Sequence, residues 1–223
     1  MKLAALVPIR HHSQRVPGKN YRLLNQKPLF HYILTTLGAV AEIDGIYVDT
    51  DSQTIIEGVQ QHFPGVQIIP RPEHLCADDT PMNEILLYDT EQVQADFYLQ
   101  THATNPLLSS KAISDAILTF QASYPANDSL FSVTRWQTRL YDQAGKAINH
   151  DPTELIQTQD LPPVYEENSC IYIFSRDNLV KYHHRIGSAP LLFEIPRLEA
   201  IDIDEESDFQ LAEVLMRLQR KTT

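Results

Sequence analysis

The chain has 223 residues, of which 43% are hydrophobic and 21% are charged. A chain of this size can bury a single core without disulfide bridges, so we expect one domain over residues 1–223. The formal net charge of -11 argues against a generic nucleic-acid-binding protein. Because apolar runs are too short for a membrane span and the amino terminus is a poor signal peptide, we expect a cytoplasmic protein without membrane or nucleic-acid partners.

The charge is unevenly distributed along the chain. Residues 1–41 contain no Asp or Glu, but they contain Lys2, Arg10, Arg15, Lys19, Arg22 and Lys27. All 29 acidic residues of the chain follow this segment. The amino-terminal part of the protein is therefore expected to bind an anion.

Apolar runs and helical periodicities alternate along the first part of the chain. We predict strands at 3–7, 45–49, 66–69, 97–101 and 129–134, with helices between them at 28–40, 52–63, 81–94 and 109–124. Such β/α alternation predicts a Rossmann-like, mostly parallel sheet in three layers, with helices on both faces.

The alternation stops over residues 136–165. Short polar stretches, Gly145 and several prolines predict an insertion that contains a hairpin, which we interpret as an interface arm. Beyond it we predict a strand at 169–174, a helix at 176–182, a strand at 192–195, an extended segment at 200–203 and a helix at 207–221.

The loop after the first strand concentrates basic residues. Ligands of open α/β sheets bind beyond the carboxyl ends of the strands. Three cations, the Ser13 hydroxyl and Gly18 can thus cradle phosphates through charge and backbone amides. The loop lacks the glycines of a Walker motif, and a solvated basic surface loop is the alternative.

Two carboxylates near the carboxyl terminus suit a metal ion. Asp202 and Asp204 flank Ile203, so in an extended segment both acids share one side while Ile203 faces the core. Mg²⁺ favours such oxygen ligands together with phosphate oxygens and water. The alternative is an acidic run that stabilises the start of the following helix.

Several ordered segments together resemble one enzyme family. Pro8, Arg10, Ser13, Arg15, Pro17 and Lys19 resemble the P-A-R-x-x-S-x-R/G-x-P-x-K signature of the acylneuraminate and Kdo cytidylyltransferases. Similar matches follow at 25–29, 48–52, 71–78, 104–107 and 201–204. An ordered series of matches is far more specific than any one of them.

The resemblance implies a fold of the nucleotide-diphospho-sugar transferase type and a defined reaction. CMP would pass from CTP to the anomeric hydroxyl of a sialic acid or related nonulosonic acid, with release of pyrophosphate. The resemblance also implies Mg²⁺ as cofactor and a homodimer formed through the arm at 136–165.

The resemblance further assigns candidate site residues. The nucleotide would contact Arg10, Ser13, Arg15, Lys19, Asn20, Arg71 and Thr80. The sugar would contact His102, Thr104, Glu166 and Asn168, while Asp202 and Asp204 would bind the metal and act in catalysis with Arg10 and Lys19. For Arg71 an exposed surface arginine is the alternative, and for His102 a structural histidine.

The chain departs from the family at one important position. Glu166 stands where the sialic-acid enzymes have the arginine of an R-P-N-G segment that meets the sugar carboxylate. Because two carboxylates repel, Arg135, Arg139 or a residue of a partner subunit is expected to take over this contact.

Two other functions remain open from the sequence. A Kdo-type acceptor fits the Ser13–Lys19 pattern better, although residues 103–106 lack the acidic metal ligand of the Kdo enzymes. A nucleotide-binding regulatory protein without turnover is the second alternative, and its mark would be loss of Lys19, Asp202 or Asp204, all of which are present.

Overall fold

Strands and helices alternate from the first strand onward. A computed structural model describes residues 1–222, with the backbone alone for 219–222. The strands are β1 (Leu3–Pro8), β2 (Leu23–Leu24), β3 (Lys27–Pro28), β4 (Gly45–Thr50), β5 (Val66–Pro70), β6 (Phe97–Gln100), β7 (Ser129–Trp136), β8 (Val164–Phe174) and β9 (Pro190–Glu194). The helices are α1 (Leu29–Gly38), α2 (Gln53–His62), α3 (Met82–Gln92), α4 (Ser110–Ser123), α5 (Arg176–Tyr182) and α6 (Glu206–Thr222).

The central sheet has the strand order β5-β4-β1-β6-β8-β7-β9. β1 pairs in parallel with β4 and β6, and β4 pairs in parallel with β5, so the carboxyl ends of these strands share one edge. β8 runs antiparallel to both β6 and β7, and β7 pairs in parallel with β9. The predicted mostly parallel sheet is confirmed.

Alternate residues of β1 face two separate layers of the core. Leu3, Ala5 and Val7 pack with apolar residues of α1, α2 and α4. Ala4 and Leu6 point to the other face, where α3 and α5 pack. The continuous apolar run of β1 thus reflects burial on both faces, as expected for a central parallel strand.

Serine caps begin two of the predicted helices. The Ser52 hydroxyl accepts a hydrogen bond from the Ile55 amide, and the Ser109 hydroxyl accepts one from the Ala112 amide. Each cap satisfies an amide that has no partner within the first helical turn. Both helix starts therefore lie where the sequence predicted them.

The predicted extended segment at 200–203 forms no strand. Ala200 lies in a turn, and residues 201–204 follow an irregular path. This path is held in place because the Ile203 amide donates to the Thr104 carbonyl at 2.9 Å, just beyond β6. Ile203 is fully buried, as the alternation predicted.

The arm at 136–165 is built on the extended ends of β7 and β8. β8 begins at Val164, earlier than predicted, and its first residues pair with β7 up to Trp136 beyond a register shift. Between these strands a bridge joins Tyr141 to Ala147, which confirms the predicted hairpin. None of the helices in the described part of the chain is long and apolar enough to cross a membrane.

Candidate active site

A cavity of about 430 Å³ opens where the carboxyl ends of β1, β5 and β6 meet. It brings together most of the predicted site residues: Arg10, Ser13, Lys19, Asn20, Arg71, Thr80, His102, Thr104, Asp202 and Asp204. Arg15 is absent from its lining but contacts Asp204, whereas Glu166 and Asn168 lie elsewhere. The strand order explains the grouping, since these loops all emerge at one edge of the sheet.

Gly18 fixes the shape of the basic loop. Its φ of 67° lies in the left-handed region, where glycine has no steric penalty. A Cβ at this position would lie 2.9 Å from the Tyr21 ring. The loop is also anchored by buried Asn20, whose side-chain amide donates to the Arg10 carbonyl at 2.9 Å.

Lys19 joins the basic loop to the carboxyl-terminal acids. Its Nζ donates to the Ile203 carbonyl at 2.5 Å and lies 3.6 Å from Asp204 Oδ1. Arg15 Nη2 contacts the same Asp204 oxygen at 2.7 Å. Burial lowers the pKa of Lys19, and the charges of Asp202 and Asp204 oppose this shift.

The negative charge of Asp202 has fewer neighbouring partners than that of Asp204. Burial raises the pKa of its carboxyl, against a hydrogen bond from Thr104 that favours the charged form. Its Oδ1 is buried without a hydrogen-bond partner in the described residues. An unpaired buried carboxylate oxygen is costly, so the position suits a cation.

The acids fit Mg²⁺ only if a substrate completes the site. In the described part of the chain no group of three His, Cys, Asp or Glu residues surrounds a metal position. Mg²⁺ is commonly held by one or two carboxylates together with phosphate oxygens and water. Asp202 and Asp204 offer that minimal set.

Arg10 and the loop after β5 meet across the mouth of the cavity. Arg10 Nη1 lies 3.0 Å from Asp78 Oδ1, and Gln14 Nε2 donates to Asp78 Oδ2 at 2.5 Å. Thr80, two residues further, lines the cavity. Asp78 therefore balances the charge of Arg10 in the free protein.

Arg71 is buried, so the alternative of an exposed surface arginine is wrong. Its Nε donates to Asp49 Oδ1 at 2.5 Å, and its Nη2 contacts the same oxygen. Both side chains are nearly inaccessible to solvent, with exposed fractions of 4% and 1%. The guanidinium is thus held rigidly at the cavity wall.

A second acid, Asp89, completes this buried group. Burial raises the pKa of Asp89 to about 9, and the negative charge of neighbouring Asp49 adds to the shift. Asp89 is therefore neutral near pH 7 beside Asp49. The sequence signal was an acid on the apolar face of α3, one turn after Ile85 and followed by Val93.

His102 stays neutral in the cavity. Burial lowers its pKa to about 3, with the charges of Arg185 and Lys19 adding to the effect. Its Nε2 lies 2.9 Å from Gln100 Nε2, so the amide donates to the unprotonated ring nitrogen. His102 therefore contributes no positive charge to the cavity.

The predicted sugar contacts Glu166 and Asn168 do not line the cavity. Glu166 Oε2 accepts a hydrogen bond from Trp136 Nε1 at 2.7 Å on the β7–β8 ribbon. Buried Asn168 accepts from Ser132 Oγ at 2.6 Å and donates to Thr134 Oγ1 at 3.1 Å. Both side chains are thus bound to residues of β7, within the structure of the ribbon.

The cavity instead includes Ser169 and Arg185, which sequence reasoning missed. Arg139, one expected substitute for the missing arginine, donates to the Ile156 carbonyl within the arm, and Arg135 lies on β7 outside the cavity lining. Arg185 follows two histidines in the connection from α5 to β9, where the sequence resembles an ordinary polar loop.

Known proteins of one enzyme family are similar in sequence to this chain. The family profile described as cytidylyltransferase matches residues 4–219. The chain is 28% identical to the post-translational flagellin modification protein B of Campylobacter coli, over 92% of this chain and 91% of that protein. It is also 28% identical to the CMP-N,N'-diacetyllegionaminic acid synthase of Legionella pneumophila subsp. pneumophila, over 99% of both chains.

A solved structure is similar in fold. CMP:2-keto-3-deoxy-manno-octonic acid synthetase, complexed with CTP, aligns with a TM-score of 0.73 over 98% of this chain and 100% of that one. The two sequences are 16% identical, so this likeness speaks for the fold alone.

Proposed function

The chain belongs to the cytidylyltransferase family, and from this premise we propose that it transfers CMP from CTP to the anomeric hydroxyl of an acidic sugar of the nonulosonic type, with release of pyrophosphate. One observation carries the proposal: the basic loop after β1 meets two acids from the far end of the chain in one cavity. Lys19 contacts both the Ile203 carbonyl and Asp204 there. A polyphosphate and its cation need that combination of charges.

The three basic residues of the loop hold the β and γ phosphates of CTP. In the free protein Arg10 is balanced by Asp78, while Arg15 and Lys19 are balanced by Asp204. The triphosphate takes over these cations and is then surrounded by prearranged positive charge. The same charge stabilises the pyrophosphate as it leaves.

Asp202 and Asp204 would hold Mg²⁺. When bound, Mg²⁺ supplies positive charge that stabilises the transition state of phosphoryl transfer. One of the two carboxylates accepts the proton of the attacking sugar hydroxyl through an oxygen that does not bind the metal.

The remaining cavity residues orient the two substrates. Arg71, locked against Asp49, contacts the cytosine base, and Asn20 and Thr80 contact the nucleoside. His102 and Thr104 also line the cavity, and they contact the sugar. Because its ring is neutral, His102 adds no further positive charge that would attract the phosphates.

We further propose a homodimer formed through the arm. Large apolar side chains of the arm are exposed in the single chain, with Leu155 at 93%, Ile148 at 57% and Tyr141 at 51%. Burying such residues against a second copy would remove their apolar surface from water.

The two free thiols, Cys76 and Cys170, agree with a reducing, cytoplasmic setting.

The proposal is tested by pyrophosphate release. CTP and Mg²⁺ are supplied with sialic, legionaminic, pseudaminic and Kdo-type sugars, and we expect release with a nonulosonic acid and none with UTP or without sugar. Asp204→Asn and Asp202→Asn should each lower kcat by about 100-fold or more, since both remove a metal ligand.

Asp115→Asn is the matched control, because Asp115 pairs with Lys111 on the surface of α4, outside the cavity. Release only with the Kdo-type sugar would favour the alternative acceptor. CTP binding without release for any sugar would instead favour a regulatory protein.

A further inference from the structure

The cavity contains a positively charged side chain that has no role in the proposed binding of the nucleotide. Among the described residues, the cations that line the cavity are Arg10, Lys19, Arg71 and Arg185. The first three pair with Asp78, Asp204 and Asp49, respectively. Arg185 has no carboxylate partner among the side chains that the structure describes, those of residues 1–218. A half-buried guanidinium without a counter-charge is unfavourable unless a ligand supplies one.

Neutral contacts hold Arg185 in a fixed orientation. Its guanidinium carbon lies 3.6 Å from the centroid of the Tyr172 ring, and its Nη1 donates to Gln100 Oε1 at 2.8 Å. Gln100 in turn is held by His102 and by the Thr101 carbonyl. These contacts position the guanidinium without neutralising it.

A donor of Arg185 is left without a partner. Its Nε is buried and makes no hydrogen bond to any described residue. A buried N–H without an acceptor costs free energy, which a bound acceptor recovers. The planar guanidinium accommodates a carboxylate through two parallel hydrogen bonds, a geometry that a lysine does not offer.

The strand order places Arg185 far from the base-binding end of the cavity. Arg71 directly follows β5, whereas Arg185 packs on Tyr172 of β8 and Gln100 of β6. Four strand spacings separate β5 from β8 in the sheet, which is about 19 Å. Asp202 and His102 line the cavity together with Arg185 and Ser169. Arg185 therefore lies on the side where the acceptor, not the nucleotide, is expected.

We propose that Arg185 binds the carboxylate of the acceptor sugar. This inference rests on the proposed function, because it assigns a contact to the second substrate of the same cavity. It also accounts for Glu166, which points to Trp136 on the ribbon and is not in the cavity. The carboxylate contact thus comes from the loop between α5 and β9, and specificity for an acidic sugar depends on that loop.

The test compares a charged and an uncharged form of one sugar. N-acetylneuraminic acid, N,N'-diacetyllegionaminic acid and their methyl esters are titrated calorimetrically into protein loaded with Mg²⁺ and a CTP analogue whose α,β bridge is methylene, so that no transfer occurs. Arg185→Gln should raise the Kd of the acid by about 10- to 100-fold and that of the ester by less than about threefold.

Two further variants guard against a general loss of folding. Arg185→Lys keeps the charge but loses the paired geometry, so its Kd for the acid should fall between those of the wild type and Arg185→Gln. Arg176→Gln, which removes an exposed arginine paired with Glu91 outside the cavity, should bind both sugar forms as the wild type does. All variants should bind the CTP analogue with unchanged affinity.

Failure of the inference and failure of the proposed function give different results. If pyrophosphate is released and Arg185→Gln weakens acid and ester equally or not at all, the carboxylate contact is wrong and the proposed function stands. If Arg185→Gln selectively weakens the acid but no sugar supports pyrophosphate release, the contact stands and the proposed reaction is wrong. If neither form binds the wild type and no sugar supports pyrophosphate release, both are wrong.

Discussion

The buried group around Arg71 shows how single residues decide the electrostatics of the site. Arg71 and Asp49 form an ion pair inside the protein, and Asp89 lies against Asp49. A second negative charge beside Asp49 would be unfavourable, so Asp89 keeps its proton near pH 7. The neutral acid supports the ion pair that holds Arg71, and the contact proposed between Arg71 and the cytosine base depends on this support.

The proton on Asp89 predicts a pH dependence of stability. Its pKa is raised from 3.8 to about 9 in the folded protein, so between these values the folded state holds a proton that the unfolded state has released. Stability contributed by Asp89 is therefore present at low pH and is lost as pH rises, by about 1.4 kcal/mol for each pH unit. Asp89→Asn should remove this dependence, because asparagine is always neutral.

The measurement is thermal or urea denaturation between about pH 5 and pH 8. Asp89→Asn should lose less stability over this range than the wild type does and should be at least as stable at the upper end. Asp115→Asn, which changes an exposed acid on α4, should keep the slope of the wild type. A wild-type slope in Asp89→Asn would show that Asp89 is ionised in the folded protein.

At the scale of elements, the connection after β1 is shaped by a single glycine. Gly18 adopts a left-handed conformation directly before the short helix that carries Lys19 and Asn20. The Tyr21 ring covers the space that a Cβ would need. The position of Lys19, which is proposed to bind phosphate, is therefore coupled to the absence of a side chain at residue 18.

Gly18→Ala should weaken CTP binding about tenfold and destabilise the protein by about 1–2 kcal/mol. An alanine with the positive φ of residue 18 is strained, which accounts for the loss of stability. Its Cβ would also displace the Tyr21 ring and so move the loop, which accounts for the weaker binding of CTP. Gly145→Ala is a matched control, because its φ of 78° carries similar strain while no atom lies within 4 Å of the added Cβ. Equal CTP affinity for Gly18→Ala and the wild type would contradict the role of this loop.

At the scale of the whole molecule, the fold joins the two ends of the chain. The acid-free segment of residues 1–41 provides Lys19, and the irregular segment before α6 provides Asp204. Phe209 and Ala212 of α6 belong to one buried apolar cluster with Leu29 of α1, which keeps the two ends together. The basic residues of the amino-terminal segment and the acidic residues near the carboxyl terminus thus meet in one cavity.

The exposed apolar side chains of the arm predict that two copies of the chain associate through it. Leu155→Asp should raise the dissociation constant of the proposed homodimer at least about tenfold, because a charge replaces an apolar side chain in the interface. Analytical ultracentrifugation over a range of protein concentrations measures this change. Leu118→Asp, an exposed leucine on α4, should leave the dimer unchanged. A wild type that sediments as a monomer at all concentrations would contradict the proposal.

The sequence by itself determined the parts that depend on local pattern and spacing. The apolar run of β1, the helix caps at Ser52 and Ser109, and the ordered motifs from Pro8 to Asp204 predicted the sheet, the family resemblance and most of the cavity. These features depend on neighbouring residues, so they can be read without knowing the fold.

Only the tertiary structure decided which charges compensate each other. The Arg71 side chain is buried against Asp49 and not exposed on the surface, and Glu166 and Asn168, which were expected to contact the sugar, form hydrogen bonds within the β7–β8 ribbon. Arg185 enters the cavity because β8 runs antiparallel beside β6 and brings Tyr172 next to Gln100. Electrostatic pairing depends on distance in space, and residues 100 and 185 are close only after the sheet has formed.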